Sequence, residues 1–354
     1  MRKSAKIQAA AVFLVLVAAL LISLVLTLSF GSSDVSPRAA YGVLTDQLFN
    51  HGAETAAGTW SRTEYQIVWN IRLPRVLFGM LCGAGLSVCG AAMQALVMNP
   101  IADPYILGIS SGASAGAAWA LLMPVSLFSG QYEVVLTAML GAMIAASVVY
   151  TMARIGSGGQ IKPVTLLLSG TAVNAVMSAV TSLLIFLAKS PESISAVYNW
   201  QMGSIAAAMW TTLPFPSAAV LAGTVIFSCC GSRFNLLMMG EEDARSMGLN
   251  TRLFRNLMFL MISLVVASLV SVTGIIGFVG LMIPHLVRLL AGTSDNRIVI
   301  PYSAILGALF LIWADAIARG MFGSAELPIG IITAFIGAPF FMYLMIRSQH
   351  RVKA

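Results

Sequence analysis

The few ionisable residues of this chain form no arrangement that could catalyse a reaction or hold a metal. Asp103 and Asp315 each stand alone in the sequence, and nothing near them resembles a catalytic triad. The remaining candidates neither cluster nor follow metal-ligand spacing: His51, His285, His350, Cys82, Cys89, Cys229 and Cys230. The chain also lacks a Gly-x-x-x-x-Gly-Lys-Ser/Thr loop for nucleotide phosphates. We therefore predict no enzyme, and no cofactor or metal within this chain.

Three arginines could instead receive carboxylates from another protein. Arg72 and Arg75 lie in one short stretch, and Arg319 lies near the end of a later apolar segment. A guanidinium group binds a carboxylate through two parallel hydrogen bonds, which suits it to docking. Two alternatives stay open. Each arginine could extend its aliphatic stem to reach water, or Arg319 could pair with Asp315 one helical turn earlier.

A polar segment at 233–255 predicts a second contact surface. Gly240 and Gly248 bracket a short helical run, Glu241 to Met247, with acids at its start and Arg245 nearer its end, as the helix dipole favours. Several apolar residues of the segment would be costly to expose in a loop: Leu236, Leu237, Met238, Met239 and Met247. An apolar patch with a charged rim indicates a protein partner. The alternative is a helix that lies flat on a membrane.

The composition places these residues in a membrane protein. Of 354 residues, 58% are hydrophobic and only 9% are charged. Soluble domains carry roughly 25% charged residues, so this chain lacks the polar surface to face water on all sides. We predict an all-α integral membrane protein with a single transmembrane domain, 1–354.

Ten spans are predicted from the gaps between charges, because a helix needs about 20 apolar residues to cross a hydrocarbon core of ~30 Å. Parity splits the stretch after Arg255 into two short crossings that turn near Thr273 and Gly274, since arginines flank it at both ends. Gly277, Gly280 and Pro284 interrupt the second of them. The spans are expected near 9–30, 76–98, 105–123, 134–153, 163–188, 210–230, 255–273, 275–290, 298–318 and 327–346.

An even number of spans places both termini on one side of the membrane. With the termini in the cytoplasm, most of the 20 Lys and Arg lie on the cytoplasmic side, as the positive-inside rule requires. The net charge of +7 is then explained by topology and predicts no nucleic-acid partner. In this orientation Arg72, Arg75 and Arg319 face outward and 233–255 faces the cytoplasm. The expected location is the cell's inner membrane.

At this point a family resemblance emerges over about Ile67 to Arg347. The chain resembles the permease subunits of importers for iron-siderophores, haem and vitamin B12, the type II class of ABC importers. The matching motifs are Ile71-Arg72-Leu73-Pro74-Arg75, Gly90-Ala91-Ala92-Met93-Gln94-Ala95-Leu96, Asn99-Pro100-Ile101-Ala102-Asp103-Pro104, Gly240-Glu241 with Ala244-Arg245 and Gly248, Gly277 to Arg288, Glu326-Leu327-Pro328-Ile329-Gly330, and Gly337-Ala338-Pro339.

The resemblance implies the type II importer fold and its partners. Such permeases pair with a second copy or a similar subunit in membrane lipid, with two ATP-binding subunits below and a substrate-binding protein above. ATP and magnesium are bound by those partner subunits. The resemblance assigns binding-protein docking to Arg72, Arg75 and Arg319. It assigns coupling to the ATPase to the segment that holds Gly240, Glu241, Glu242, Ala244, Arg245 and Gly248.

The resemblance also indicates a gate and a pathway. The inner gate of relatives corresponds to Lys162, Pro163, Val164 and Thr165, where some relatives carry small hydroxyl residues. The pathway is expected along the fifth span, with weakly polar groups such as Ser169, Asn174, Met177 and Ser178. A large chelate encloses its metal in an organic shell, so the pathway need not offer metal ligands.

Two other classes of protein were weighed against the importer. An ion-coupled secondary transporter would usually carry acids or histidines in mid-membrane, and Asp315, toward a span end, is the one candidate. An intramembrane enzyme would need a nucleophile or metal site within the spans. The importer is therefore favoured. A ferric siderophore is the first choice of cargo because it is the commonest in the family, with haem and cobalamin next.

Overall fold

The computed structural model describes residues 2–31, 35–128, 130, 132–158, 162–321 and 326–352, and their regular structure is entirely helical. The α-helices are α1 (Arg2–Ser29), α2 (Pro37–Phe49), α3 (Ala53–Ala56), α4 (Arg62–Tyr65), α5 (Leu73–Leu96), α6 (Ile109–Leu122), α7 (Glu133–Gly156), α8 (Pro163–Leu187), α9 (Pro191–Gln201), α10 (Pro214–Cys229), α11 (Gly231–Met238), α12 (Glu241–Ser246), α13 (Thr251–Thr273), α14 (Val279–Ala291), α15 (Asn296–Gly320) and α16 (Ile329–Val352). A π-helical segment, Gln66–Arg72, joins α4 to α5, and a 3₁₀ turn, Pro104–Leu107, precedes α6.

The predicted all-α membrane fold is confirmed, and each of the ten predicted spans has a helix. Six helices among the described residues are long and apolar enough to cross a membrane. The pair α10 and α11, bent by 59°, supplies a seventh candidate, and α6, α14 and the apolar part of α16 are shorter. The segment 31–64, which the sequence left unassigned, contains α2 and α3 and the start of α4.

Two of the predicted spans are shorter helices than expected because the chain enters them through irregular backbone. The predicted span 105–123 becomes helical only at Ile109, after Gly108 adopts a left-handed conformation at φ 73°. The predicted span 275–290 becomes helical only at Val279. The expected turn at Thr273 is present, but Pro284 lies within α14 and does not divide it. Both short helices begin inside the bundle rather than at its surface.

The two irregular entries contact each other and supply part of the hydrogen bonding that a membrane interior requires. The Tyr105 hydroxyl donates to the Ile276 carbonyl oxygen at 3.0 Å, and the Ile276 N–H lies 3.3 Å from the same hydroxyl. Backbone groups at this depth must be satisfied by protein, because lipid offers no partners. Tyr105 therefore stabilises both breaks at once.

Glycines let the central helix α5 approach its neighbours at backbone distance. A β-carbon at Gly83 would overlap the carbonyl of Gly307 in α15, and one at Gly90 would overlap Gly280 in α14. The hydrophobic effect does not drive helices together in lipid. Small residues instead stabilise the contact because they allow close van der Waals packing. The helix α5 is accordingly the most buried span, with 78% of its apolar window inside the protein.

The helix α15 separates two ends of the bundle. At its start, the Asn296 N–H donates to the Asn235 side-chain oxygen of α11 at 2.8 Å. In its last turn it carries Arg319. At 1.5 Å per residue, its 25 residues span about 37 Å. We call the end with α11 and α12 the coupling end and the end with Arg319 the arginine end. The connection after α9 lies at the arginine end, since the Ser204 N–H donates to the Thr273 carbonyl at the end of α13.

The glycine contact between α5 and α15 gives a direct test of this packing. We expect Gly83→Ala to lower the free energy of unfolding by about 2 kcal/mol, because its methyl group would meet the backbone of Gly307. Unfolding of the purified protein in mixed detergent micelles measures the change. Gly320→Ala is the matched control, since a β-carbon there meets nothing within 4 Å. Equal losses in the two variants would contradict the packing.

Candidate functional site

A polar cavity of about 600 Å³ lies among α6, α8 and α9. Serines from α6, hydroxyl and amide side chains from α8, and Tyr198 and Gln201 from α9 line it. Its α8 residues begin at Asn174, about midway along that 25-residue helix. Hydroxyl and amide groups can exchange hydrogen bonds with a passing solute without holding it as a charge would. Its polar lining contrasts with the mainly apolar grooves along α7 and beside α15.

The structure brings part of the predicted pathway to this cavity. Asn174 and Ser178 line it, and the Ser111 hydroxyl donates to Asn174 Oδ1 at 2.6 Å. Ser169 is buried elsewhere on α8, and Met177 packs against the hydrophobic core. Sequence reasoning missed the α6 serines, although Ser110 and Ser114 recur at the four-residue spacing that marks one helix face.

Asp103 reaches the cavity, which the sequence did not predict. The irregular segment before α6 folds back into the bundle, where Ile106 contacts Gly170 of α8. Asp103 caps the 3₁₀ turn, and its Oδ1 accepts the Tyr105 N–H at 2.8 Å. Asp315, the single acid considered earlier for the interior, instead lies in the last turns of α15 among arginines. The acid beside the cavity is therefore Asp103.

The arginine end contains a buried set of charges that we call the arginine cluster: Arg75, Asp315, Arg319 and Glu326. Asp315 Oδ1 accepts from Arg75 Nε at 3.0 Å, and Asp315 Oδ2 lies 2.9 Å from Arg319 Nε. Glu326 Oε2 accepts from Arg75 Nη1 at 2.8 Å. The alternative pairing of Arg319 with Asp315 is thus present. The cluster joins α5, α15 and the segment before α16.

Two of the arginines also contact the end of α1. Arg72 Nη1 donates to the Leu28 carbonyl at 3.0 Å, and Arg319 donates to the carbonyls of Thr27 and Phe30. The last carbonyls of a helix have no partner within the helix and carry partial negative charge, so cations stabilise them. These contacts fix the arginine end of α1, a helix of whose apolar window only 17% is buried.

Burial of the arginines differs from the outward-facing arrangement that the sequence suggested. The residues Arg72, Arg75 and Arg319 are only 3%, 6% and 3% exposed. Their guanidinium groups are engaged by carboxylates and helix carbonyls of the same chain, because a charge in an apolar bundle must be compensated. A partner could not contact these groups directly in this conformation. The docking role stays a prediction.

The coupling end contains the short helix that the sequence predicted, now bounded as Glu241–Ser246. Gly240 and Gly248 have positive φ angles of 125° and 86°, which few other residues adopt at low cost. Ala244 is buried, while Glu242 and three methionines point outward: Met238, Met239 and Met247. The three methionines therefore form an exposed apolar patch beside charged residues, whereas Leu237, which the sequence placed in the same patch, is buried in the hydrophobic core.

Glu241 connects this helix to α13. It accepts from Arg245 at 2.5 Å, and its other oxygen lies 3.7 Å from the buried Arg255. At the neighbouring contact between α11 and α15, hydrogen bonds from Arg297 and then Asn235 hold the pKa of Asp295 at about 2. These contacts join α12 to α13 and α11 to the start of α15.

The predicted gate residues lie where α8 begins. Lys162 precedes the helix, Pro163 occupies its first turn, and Val164 is exposed. The Thr165 hydroxyl lies 2.5 Å from the Ser157 hydroxyl, and this hydrogen bond joins the start of α8 to the end of α7. In the described ranges, His, Cys, Asp and Glu side chains form no group of three that could hold a metal ion.

Comparison with known proteins identifies the family. The FecCD transport family model matches residues 19–347. The chain belongs to the FecCD transport family. It is 41% identical over 283 residues to a cobalamin import system permease, BtuC, of Halobacterium salinarum, covering 80% of this chain and 74% of that protein. It is 35% identical over 298 residues to the hemin transport system permease HmuU of Yersinia pestis, covering 82% and 88%.

A solved structure supports the same conclusion at the level of the fold. It is described as an inward-facing conformation of a metal-chelate type ABC transporter, and it is similar with a TM-score of 0.80 and 29% identity, covering 96% of this chain and 99% of that one. The predicted permease fold is confirmed. As a multi-span ABC importer permease, the chain leaves ATP hydrolysis to partner subunits.

The arginine cluster yields a stability prediction. We expect Asp315→Asn to lower the free energy of unfolding by about 3 kcal/mol, because two buried guanidinium groups lose the carboxylate between them. Unfolding in mixed micelles measures the change. Glu192→Gln serves as the control, since Glu192 is exposed and its hydrogen bond comes from nearby Ser190. A loss below 1 kcal/mol would show that the cluster contributes little.

Proposed function

We propose that this permease carries an iron chelate or a related large metal complex into the cell, with a ferric siderophore as first choice and haem or cobalamin next. The observation that carries the proposal is the polar cavity, which runs from about the middle of α8 to the connection after α9 at the arginine end. We place the substrate-binding protein at that end and the ATPase at the opposite end. The two named relatives, for cobalamin and for hemin, support a large metal-containing cargo.

The proposed assembly contains two copies of this chain, or this chain and a similar permease, in membrane lipid. Apolar side chains on α8 and α16, such as Val176, Phe186 and Phe335, are exposed in the single chain and would face either lipid or the second copy. Two ATP-binding subunits, which would hold ATP and magnesium, are proposed at the coupling end. A substrate-binding protein is proposed at the arginine end, with both termini of the chain in the cytoplasm.

The proposed mechanism transmits ATP binding through the coupling end. Closure of the ATPase subunits would push on the exposed Met238, Met239 and Met247 at the ends of α11 and α12. Glu241 and Arg255 would pass the movement to α13, whose far end contacts the connection after α9 beside the cavity. The cavity would then open alternately to each side. Lys162 to Thr165 would close the cytoplasmic side.

Uptake by reconstituted vesicles tests this function. The permease is assembled in proteoliposomes with its cognate ATP-binding and substrate-binding proteins, and accumulation of a ⁵⁵Fe-labelled hydroxamate chelate is followed with and without ATP. We expect accumulation only with ATP and both partners. Accumulation driven by an ion gradient without the ATPase would instead favour the ion-coupled transporter, for which Asp103 would be the interior acid.

Replacing Glu241 tests the coupling step. We expect Glu241→Ala to reduce ATP-dependent uptake about tenfold while ATP hydrolysis continues, because α12 loses a charged contact worth about 1.5 kcal/mol or more to α13. Uptake and phosphate release are measured on the same vesicles. Glu192→Gln, which removes an exposed acid far from α12, should leave both unchanged. Full coupled uptake by Glu241→Ala would contradict the role of this contact.

A further inference from the structure

The two carboxylates that pair with Arg75, those of Asp315 and Glu326, differ in burial and in how readily their contact with Arg75 can break. Asp315 is 2% exposed, accepts from Nε of Arg75, lies 3.0 Å from its Nη2, and also pairs with Arg319. The Glu326 side chain is 37% exposed and holds only Nη1. Release of Asp315 would remove a buried carboxylate from two buried arginines at once, whereas release of Glu326 transfers one partly exposed carboxylate to water. The Glu326 contact is therefore the exchangeable one.

The position of Glu326 makes exchange geometrically simple. It lies outside α15 and α16, just before Leu327, whose N–H donates to the Ala318 carbonyl at 3.2 Å. A partly exposed ion pair contributes about 1 kcal/mol or less to stability. Rotation of the Glu326 side chain would uncover Nη1 of Arg75 while Asp315 keeps the other edge of the guanidinium group. The bundle below would not need to change.

The remaining arginines are committed to the fold. Arg72 and Arg319 both donate to carbonyls in the last turn of α1, and Arg319 is also paired with Asp315. If a partner bound either guanidinium group directly, the carbonyls at the end of α1 would lose a hydrogen-bond donor. Among these three arginines, Arg75 is thus the one whose contacts can be replaced by an equivalent group from outside.

We propose that the binding protein docks by carboxylate exchange: an acidic side chain of the partner replaces Glu326 on Nη1 of Arg75, and Glu326 turns into solvent. Glu326 thereby keeps the guanidinium group neutralised and oriented until the partner arrives. The inference rests on the proposed function, in which the binding protein docks at the arginine end. It also makes Glu326 a competitor of docking rather than a contributor to it.

Competition between Glu326 and the partner's carboxylate determines whether a Glu326 variant binds the partner more or less tightly. In Glu326→Gln the side chain keeps its length and an oxygen acceptor but loses its charge, so it holds Arg75 less strongly. A partner carboxylate then meets less competition. We expect the variant to bind the binding protein roughly five-fold more tightly. Glu326→Asp, which keeps the charge but shortens the reach, should give a smaller gain.

The experiment measures the affinity of detergent-purified, full-length permease for its cognate substrate-binding protein at low salt. Wild type is compared with Glu326→Gln, Glu326→Asp and Glu192→Gln. The last variant removes the same charge from the arginine end without touching the cluster, and so controls for general electrostatic attraction. A gain in Glu326→Gln that exceeds the gain in Glu192→Gln supports exchange.

Two results would overturn the proposal in distinguishable ways. Unchanged or weaker binding by Glu326→Gln, with wild-type binding intact, would refute exchange and leave the importer function standing. Failure of wild type to bind its cognate protein, in detergent and in lipid nanodiscs, would refute both exchange and the proposed docking. Unfolding midpoints of all four proteins, which we expect to agree, separate a docking effect from a loss of structure.

Discussion

Within a lipid-embedded bundle, every charge and every broken stretch of backbone must find its partner in the protein itself. That requirement explains both of the unusual features of this chain. The irregular entries to α6 and α14 are joined through Tyr105 and Ile276, and the arginines are neutralised by Asp315, Glu326 and the carbonyls that end α1. Glycines on α5 bring the helices close enough for these contacts to form.

The same contacts connect the coupling end and the arginine end of the permease to the polar cavity. One entry segment lines the polar cavity, and the other contacts the end of α13, whose start is held by Glu241 at the coupling end. Breaks in the helices therefore lie beside the polar cavity. The helices α5 and α15, which pack at backbone distance, connect the ends. This arrangement suits a transporter whose energy comes from one end and whose cargo arrives at the other.

The sequence was sufficient to locate the long apolar helices, since gaps between charges are a property of the chain alone. The turn at Thr273 followed from the arginines that flank it, and the glycine-bounded helix followed from Gly240 and Gly248. The burial of Arg75 could not be predicted, because its partner Asp315 is 240 residues away. Asp103 was missed for a similar reason: only the return of its segment into the bundle brings it to the cavity.

The central claim is that the arginine end and the coupling end lie on opposite sides of the membrane. Single cysteines at positions 192 and 242, in a variant whose four native cysteines are replaced by alanine, can be labelled with a membrane-impermeant maleimide in sealed right-side-out vesicles. The account predicts rapid labelling at 192, and labelling at 242 only after the vesicles are opened. Labelling of both positions in sealed vesicles, or protection of both, would contradict it.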